Sequence, residues 1–597
     1  MRKLQQLIIA FIIPFLNIIF SLIYLFSLES AILWNIVGIF IIISIFYYLT
    51  ALFMVINQIY QKTSKVIARK YARLSFSLLF CMLLWYFAAF MVNFIGYDDL
   101  IFQNLLMKSL NFVLFWFINI LIGIYIYSGL IQFNLKNQEI NNSKSQLQTS
   151  SLRKKFHNAI TILHWVIVVS GFVLLIYVDI GIFVPGTSMP RLFGIGIVAG
   201  MLGTFFGLIG FTLTAISMVA IIHSTYLEIS TSSKIFNHMQ QFIISKKNPL
   251  IISVFTLGLM ISSIGFIPLV STPAFIKSTR MEFERAFNPE FAGDWQGSID
   301  PSIKAQYFRS SPFILSEYFW GPSTYDCITF KDILYFNGSE SAYPQDKDIT
   351  LYFDAFLPPN RGIGLPGQNS TLIRIHGGGW VVGDKGFMNV NEMNRYFASQ
   401  GYCVFDIQYG LNNVSDLFKN LPHPEHVMGN FSIDDIMRHI GNFTKYLKIH
   451  ASEFGANLGS TFVSGGSAGG QLTCAAALSL AHKNYSEFSK AYTIKGLIPY
   501  YPANNPQHEF SISSRPEWVD PNLLVNASSP PCLIFQGDKD PLLPKAIQFQ
   551  HTYFDYGRDD CGLLIFPFAG HASDMYFPGY YNQVFLYYME RFLYLFH

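Results

Sequence analysis

The sequence predicts two successive folds: a multi-pass bundle of membrane-spanning α-helices, then a mostly parallel eight-stranded β-sheet with helices on both faces. Hydrophobic residues make up 51% of the chain and charged residues only 13%, whereas charge approaches about a quarter of an ordinary soluble protein. The long apolar stretches lie in the first 270 residues, and beyond residue 312 short β-rich runs alternate with helical segments. We therefore predict a transmembrane domain of about seven helices (1–271), a linker (272–312) that is polar and irregular, and a sheet domain (313–597).

Seven apolar stretches of the first domain are long enough to cross a membrane, which takes about 20 mostly apolar residues. The sixth contains Gly196-x-x-x-Gly200 and Gly203-x-x-x-Gly207, a spacing of small residues that lets a neighbouring helix approach closely. The stretches are Leu7–Phe26, Ala31–Ile56, Leu74–Ile95, Leu110–Ile131, Ala159–Val184, Leu192–Ile222 and Pro249–Val270.

The lysine and arginine residues in the loops between these stretches predict the orientation of the chain. Fifteen lie on the side of the N-terminus and two on the other side, before the last span. Because cytoplasmic loops are enriched in Lys and Arg, the N-terminus is predicted to be cytoplasmic. An odd number of spans then places the sheet domain on the extracellular or lumenal side, or in the periplasm of a bacterium. Seven Asn-x-Ser/Thr sites in this domain predict a glycoprotein: Asn337, Asn369, Asn413, Asn430, Asn442, Asn484 and Asn526.

In the sheet domain, two early strands are followed by repeated strand–helix alternation, which is typical of a mostly parallel sheet covered on both faces. Chemistry in such sheets collects at the carboxyl ends of the strands. The predicted strands are Cys327–Phe336, Ile349–Leu357, Thr371–Ile375, Cys403–Gln408, Thr461–Ser464, Gly496–Tyr500, Cys532–Gln536 and Leu563–Pro567. The predicted helices are Asn389–Ser399, Ile433–Glu453, Ala468–Ala481, Pro544–Asp555 and Tyr580–Phe596.

A candidate nucleophile lies in "FVSGGSAGGQL", which is a strand, a sharp turn and the start of a helix. It contains Gly465-x-Ser467-x-Gly469, the nucleophile elbow in the strand–turn–helix context that the motif requires. Side chains at the two flanking glycines would collide across the turn. The helix that begins near Ala468 adds the positive end of its dipole beside Ser467.

A serine hydroxyl needs a base to become a good nucleophile, and His571, in "FPFAGHASD" after the last strand, is the predicted base. An acid must orient the imidazole. "FQGDKDPLLP", after the preceding strand, offers Asp540 and the competing Asp538. We favour Asp540 because Asp-Pro-Leu-Leu-Pro matches the usual acid loop. The chain order Ser467, Asp540, His571 is the one expected for this arrangement.

The glycines of "IRIHGGGWVVGDK" follow another buried strand and predict an oxyanion hole. Negative charge develops on the carbonyl oxygen during acyl transfer, and preorganised N–H donors stabilise it. The predicted donors are the amides of Gly377, Gly378 and Ala468, with Gly379 as further support of the motif. His376 is predicted to brace the loop by hydrogen bonding.

These motifs together resemble a known family. "HGGGW", "GGSAGG", "GDKDPLLP" and "GH", in this order between about Asp326 and His597, look like the α/β-hydrolase superfamily and most resemble its hormone-sensitive-lipase-like carboxylesterases. The resemblance implies a Ser–His–Asp esterase that acts through an acyl-enzyme without a cofactor. "FDIQYGL" at Phe405–Leu411 departs from it, because the family often has a Tyr-Arg pair after the Asp. The membrane half carries no such resemblance.

Four functions remain open at this point. They are a membrane-bound carboxylesterase or lipase for a lipophilic or small ester, an acyltransferase, a transporter or sensor whose outer domain processes its ligand, and a non-catalytic receptor or adhesion module. Membrane lipids are expected contacts. The net charge of +3 is too small to indicate a nucleic-acid-binding protein, and the six cysteines show no paired metal-ligand spacing. We predict neither a metal nor a cofactor, and the oligomeric state stays open.

Overall fold

The structure is a computed structural model that describes eleven stretches of the chain. An N-terminal helical bundle and a C-terminal sheet with flanking helices lie within them. The described residues are 2–26, 31–62, 65–94, 101–135, 151–183, 193–226, 247–322, 325–386, 390–413, 423–506 and 514–597.

The described part of the N-terminal half is a bundle of apolar helices. They are α1 (Arg2–Phe26), α2 (Ala31–Lys62), α3 (Lys65–Phe94), α4 (Ile101–Leu135), α5 (Ser151–Phe183), α6 (Phe193–Tyr226) and α7 (Lys247–Gly265). By length and composition, six of them (α1 to α6) suffice to cross a membrane. Phe15 and Phe87 remain more than half exposed on the outside of the bundle. By contrast, α6 is buried along most of its length and contacts α2, α3, α5 and α7, which makes it the central helix.

The seventh predicted span, Pro249–Val270, is not one continuous helix. Helix α7 ends at Gly265, and a separate helical turn, Ile267–Val270, follows. Pro268 has no backbone N–H, so it cannot donate the bond that would continue α7. The apolar part of α7 within the described residues, Pro249–Gly265, is shorter than the six longer helices.

The segment 272–312, predicted to be an irregular linker, begins with a regular helix. Helix α8 (Thr272–Phe287) buries Phe275, Phe283 and Phe287. The ring of Phe275 lies 5.7 Å from that of Phe566, on the last strand of the sheet. The helix forms because these side chains recur every four or eight residues and so lie on one face. The expectation of a loosely packed linker is therefore wrong for residues 272–287.

The predicted eight-stranded sheet is confirmed. Its strands are β1 (Ile328–Asn337), β2 (Thr350–Leu357), β3 (Ser370–Ile375), β4 (Cys403–Ile407), β5 (Asn457–Gly466), β6 (Ile494–Tyr500), β7 (Cys532–Gly537) and β8 (Cys561–Phe566). Their spatial order is β1-β2-β4-β3-β5-β6-β7-β8. β2 runs antiparallel to β1 and β4, and the remaining pairs are parallel.

Helices cover both faces of the sheet, as predicted. The domain's helices are α9 (Leu315–Trp320), α10 (Val390–Ser399), α11 (Ile433–Phe454), α12 (Ala468–His482), α13 (Leu543–Asp555) and α14 (Tyr580–Phe596). Along β3, Ile373 packs with α11, α12 and α13. Leu372 points the opposite way and packs with α8, α10, α14 and the bundle.

Short helix α9 inserts the start of the sheet domain between helices of the bundle. The ring of Trp320 stacks on Phe112 of α4, with centroids 4.3 Å apart. Asn93 and Asn111 donate side-chain hydrogen bonds to the carbonyl of Phe319, at 3.2 and 3.3 Å. These asparagines satisfy backbone groups that would otherwise be buried without partners. The bundle and the sheet domain are therefore packed directly on each other.

Candidate active site

Ser467 lies at the sharp turn between β5 and α12, in a strained conformation. Its φ is +57°, a value that residues other than glycine rarely adopt. A Cβ on Gly469 would lie 2.2 Å from the carbonyl oxygen of Ile375, and one on Gly465 would lie 2.3 Å from the same atom. Only glycine fits at both positions. The predicted elbow is therefore present, and it projects Ser467 from the carboxyl edge of the sheet.

The structure brings Ser467, His571 and Asp540 together in a continuous chain of hydrogen bonds. Nε2 of His571 lies 2.9 Å from Oγ of Ser467, and Nδ1 lies 2.9 Å from Oδ2 of Asp540. An ionised carboxylate can only accept, so Nδ1–H donates to Asp540 and Nε2 accepts from the serine hydroxyl. The backbone N–H of Leu542 donates to the other oxygen of Asp540, at 2.9 Å, and fixes the carboxylate.

The competing acid, Asp538, is held elsewhere. Its carboxylate pairs with Nζ of Lys539 at 3.2 Å, and burial raises its pKa. Asp540 is almost fully buried and points at the imidazole. Of the two acids, the structure therefore brings Asp540 to His571.

The loop after β3 crosses directly over the elbow. A Cβ on Gly377 would lie 2.7 Å from the carbonyl oxygen of Gly466 and 3.4 Å from Cβ of Ser467. Gly378 has a φ of +119° and turns the chain tightly enough that its carbonyl accepts from the N–H of Val382. Among the described residues, no backbone carbonyl accepts from the N–H groups of Gly377, Gly378 or Ala468. Of the three predicted donors, Gly377 thus lies against the elbow and Ala468 directly follows Ser467 in the chain.

His376 braces this loop. Its Nδ1 lies 2.8 Å from the carbonyl oxygen of Gly377, and its ring stacks on Tyr409 with centroids 4.2 Å apart. The hydroxyl of Tyr409 donates to the carbonyl of His376 at 2.8 Å. Burial lowers the pKa of His376, which favours a neutral ring that can hold the loop. Gly379, the third glycine of the same loop, has a φ of +61°.

Tyr501, which none of the catalytic motifs contains, packs on the candidate base and is bound in turn by Asp574. The ring of Tyr501 lies 4.5 Å from that of His571, and its hydroxyl donates to Oδ1 of Asp574 at 2.7 Å. A Cβ on Gly466 would lie 2.9 Å from the same hydroxyl. Tyr501 directly follows β6, so its place at the carboxyl edge of a parallel strand was a usable signal. Asp574 carried no comparable signal.

A second buried carboxyl lies behind the glycine loop, at the carboxyl end of β4. Asp406 accepts from the N–H of Gly386 at 2.8 Å and from the amide of Asn394 at 3.1 Å. Burial raises the pKa of Asp406 to about 7. Nearby, Arg374 on β3 donates to Oγ of Ser464 at 2.6 Å. Within the described residues, no group of three or more His, Cys, Asp or Glu is arranged to hold a metal ion.

Comparison with known proteins places similarity in the C-terminal half. The BD-FAE family model matches residues 353–508. "Probable carboxylic ester hydrolase LipM" of Mycobacterium tuberculosis is 24% identical over 268 residues, 39% of this chain and 57% of that protein. "Esterase LipQ" of the same organism is 26% identical over 236 residues, 35% of this chain and 52% of that protein. The chain thus spans about half the length of the curated relatives that it matches.

Solved structures give the same picture of which part is similar. Esterase 2 of Thermogutta terrifontis phosphorylated by paraoxon is 19% identical, with a TM-score of 0.31, and the match covers 42% of this chain and 85% of that one. Esterase B of Lactobacillus rhamnosis inhibited by a tributyrin phosphonate is 18% identical, with a TM-score of 0.31, over 43% and 81% of the two chains. The fold of the C-terminal half as an α/β-hydrolase follows from its mostly parallel eight-stranded sheet and from the match of residues 353–508 to the BD-FAE family model.

Proposed function

We propose that this protein is a membrane-bound serine hydrolase of the carboxylesterase or lipase type. The observation that carries the proposal is the chain of two hydrogen bonds, 2.9 Å each, that links Ser467, His571 and Asp540. The similarity of the C-terminal half to proteins named as a carboxylic ester hydrolase and an esterase supports ester hydrolysis. Six apolar helices support a place in the membrane.

In the proposed reaction, Oγ of Ser467 attacks the carbonyl carbon of the ester while Nε2 of His571 takes the serine proton. Asp540 stabilises the positive charge on the imidazolium through Nδ1–H. The amides of Gly377, Gly378 and Ala468 stabilise the negative charge on the former carbonyl oxygen. No cofactor takes part.

The tetrahedral intermediate then collapses, the bond from carbon to the alcohol oxygen breaks, and His571 returns its proton to that oxygen. Water attacks the acyl-enzyme with His571 again as the base, and the acid product leaves with Ser467 restored. Transfer of the acyl group to another alcohol would use the same acyl-enzyme, so it is an outcome of the test below.

The proposed substrate is a lipophilic or small ester that reaches a site beside membrane lipids. The cytoplasmic N-terminus, the extracellular, lumenal or periplasmic position of the sheet domain, and its glycosylation are part of the same proposal. They rest on the distribution of charged residues and of Asn-x-Ser/Thr sites in the sequence, and on α7 (Lys247–Gly265) as a seventh, short span. The domain boundaries near residues 271 and 312 also stay proposals.

The test is turnover of p-nitrophenyl esters of graded acyl length by the full-length protein in lipid nanodiscs. Ser467→Ala is expected to lower kcat by about 10⁴- to 10⁶-fold, because the covalent route is lost. Ser452→Ala, at an exposed serine of the same domain that belongs to none of the Asn-x-Ser/Thr sites, is the control and should match the wild type.

Turnover that survives Ser467→Ala in folded protein would reject the proposal. Absence of turnover across the whole panel, together with absence of acyl transfer to added alcohols, would favour a non-catalytic role. Release of the acyl group as a new ester, with little free acid, would identify a transferase.

A further inference from the structure

The segment 567–573, which carries His571 and is called the histidine loop below, rests on membrane helix α6. A Cβ on Gly200 would lie 3.0 Å from the carbonyl oxygen of Phe568, 3.3 Å from the amide nitrogen of Gly570 and 3.2 Å from Oγ of Ser573. Two of these atoms are backbone atoms of the loop. The loop therefore approaches α6 as closely as the missing side chain of Gly200 permits.

Helix α5 contacts the same loop. The ring of Phe568 lies edge-on to Phe183, with centroids 6.2 Å apart. It also packs against an apolar cluster formed by Val178, Ile182 and Ala199 of α5 and α6. An aromatic ring next to the candidate base is thus anchored in the bundle, so the contact is not a chance approach of one backbone segment.

Two tyrosines of the sheet domain donate hydrogen bonds to the backbone of α6 at Gly200 and the next residue. The hydroxyl of Tyr580, at the start of α14, donates to the carbonyl of Gly200. Tyr318 on α9 stacks on Tyr580, with centroids 5.5 Å apart and rings 2° from parallel. Its own hydroxyl donates to the carbonyl of Met201 at 3.2 Å. Two consecutive carbonyls of α6 are therefore bound by the sheet domain.

The opposite side of the histidine loop is pressed on the strand end that precedes the candidate acid. A Cβ on Gly537 would lie 2.3 Å from the carbonyl oxygen of Ala569 and 2.8 Å from that of Gly570. The N–H of Lys539 donates to the carbonyl of Ala569 at 2.9 Å. The loop is thus held between the end of β7 and α6: a methyl group would clash with it at Gly537 and would be in tight contact with it at Gly200.

These contacts lie at the end of a candidate membrane span. The apolar span of α6 runs from Val198 to His223, so Gly200 is its third residue. A displacement of about 1 Å at a catalytic group can lower the rate by about 10²-fold. The position of α6 in the membrane is therefore coupled by direct contact to the distance between His571 and Ser467.

We infer that the membrane bundle contributes to the catalytic rate. Helix α6 contacts the histidine loop and holds it in place, and Gly200 is a positioning residue for His571. The inference rests on the proposed function, since it concerns the rate of the Ser467 reaction. It assigns the bundle a second role besides anchoring.

The experiment compares Gly200→Ala and Gly200→Leu with Gly210→Ala in full-length protein in nanodiscs. Gly210 lies on the same helix, but a Cβ there would meet only side chains of other membrane helices, Ser262 and Leu175. We expect kcat for a short, water-soluble ester to fall about 10-fold or more in Gly200→Leu and less in Gly200→Ala. KM should stay near the wild-type value, because the displaced group is the base. Gly210→Ala should keep the wild-type kcat.

The rate of labelling by a fluorophosphonate should fall in parallel with kcat, whereas a merely structural role would change the amount of folded protein and leave the rate per folded molecule intact. Wild-type kcat in folded Gly200→Leu would overturn the inference and leave the proposed function standing. If Gly200→Leu does not fold, Gly200→Ala decides: an unchanged kcat overturns the inference, and a reduced one supports it. Failure of the wild type to show Ser467-dependent turnover would instead reject the proposed function.

Discussion

The two halves of this molecule bury apolar side chains by different rules. In the sheet domain, neighbouring residues such as Leu372 and Ile373 enter different cores. In the bundle, apolar side chains occur both inside, as at Phe115, and outside, as at Phe87. Contact with water favours elements whose apolar side chains lie on one face only. Lipid tails are as apolar as the core and therefore favour no such one-sided distribution. Hydrophobic periodicity therefore locates the elements of the sheet domain but not the contacts between the helices of the bundle.

The arrangement of buried polar groups also differs between the two halves. In the bundle, Asn17 donates to Tyr48 and to Asn119, at 2.9 and 3.0 Å, in an isolated buried cluster. In the sheet domain, buried Asp540 and His571 are linked to Ser467 at the carboxyl edge of the sheet. If the chemistry belongs to that edge, substitutions there should affect rate far more than stability.

The largest expected effect separates the two acids after β7. Asp540→Asn should lower kcat by about 10⁴-fold, because an amide in place of the carboxylate favours the wrong imidazole tautomer. Asp538→Asn, two residues away, should stay close to the wild type. Steady-state hydrolysis by both variants checks this. Equal losses in the two would contradict the assignment of the acid.

A smaller loss is expected at the glycine loop. Gly377→Ala places a Cβ 2.7 Å from the backbone oxygen of Gly466, so the loop must move and at least one donor shifts. Loss of one oxyanion donor typically lowers kcat by about 10²- to 10³-fold. Gly459→Ala, at an exposed position near the start of β5 where the added atom meets only the side chain of Asn457 at 3.2 Å, is the control. A Gly377→Ala protein with wild-type kcat would remove this loop from the mechanism.

The smallest effect concerns stability and pH. The pKa of Asp406 is raised by burial from 3.8 to about 7, so the folded state holds this proton more tightly than the unfolded state. The stability that the carboxyl contributes is therefore fully present below its unfolded pKa and is lost as the pH rises to about 7, by at most about 1.4 kcal/mol per pH unit.

In Asp406→Asn this loss should be absent. The melting temperature of the wild type, relative to the variant, should fall between about pH 4 and pH 7 and stay level above. Asp555→Asn, at an exposed carboxyl, should leave the wild-type slope unchanged. Parallel pH profiles for Asp406→Asn and the wild type would show that Asp406 titrates alike in both states.

Most of the fold was predictable because local signals agree with the tertiary structure. The predicted helix Tyr580–Phe596 has the observed bounds, and the predicted strand Thr461–Ser464 lies within the longer Asn457–Gly466. Helix α8 was not predicted, because Asn288 and Pro289, which disfavour a helix, directly follow its regularly spaced phenylalanines. The seventh span was predicted from hydropathy alone, which does not register the missing N–H of Pro268.

The candidate site was predictable as far as motifs reach. Ser467, Asp540 and His571 each follow a recognisable strand, and the structure brings them together. The packing of Tyr501 on His571 and of Gly200 on the histidine loop depends on how distant elements meet. The small residues of α6 predicted close packing, but no pattern in the sequence names a loop more than three hundred residues away as the partner.

The most direct test of the central claim is to locate the covalent adduct of a fluorophosphonate on the full-length protein by peptide mass spectrometry. The proposed mechanism predicts modification of the peptide that contains Ser467, and a greatly slowed reaction in His571→Ala. An adduct on a different serine in a protein that hydrolyses esters, or unchanged labelling in His571→Ala, would contradict it.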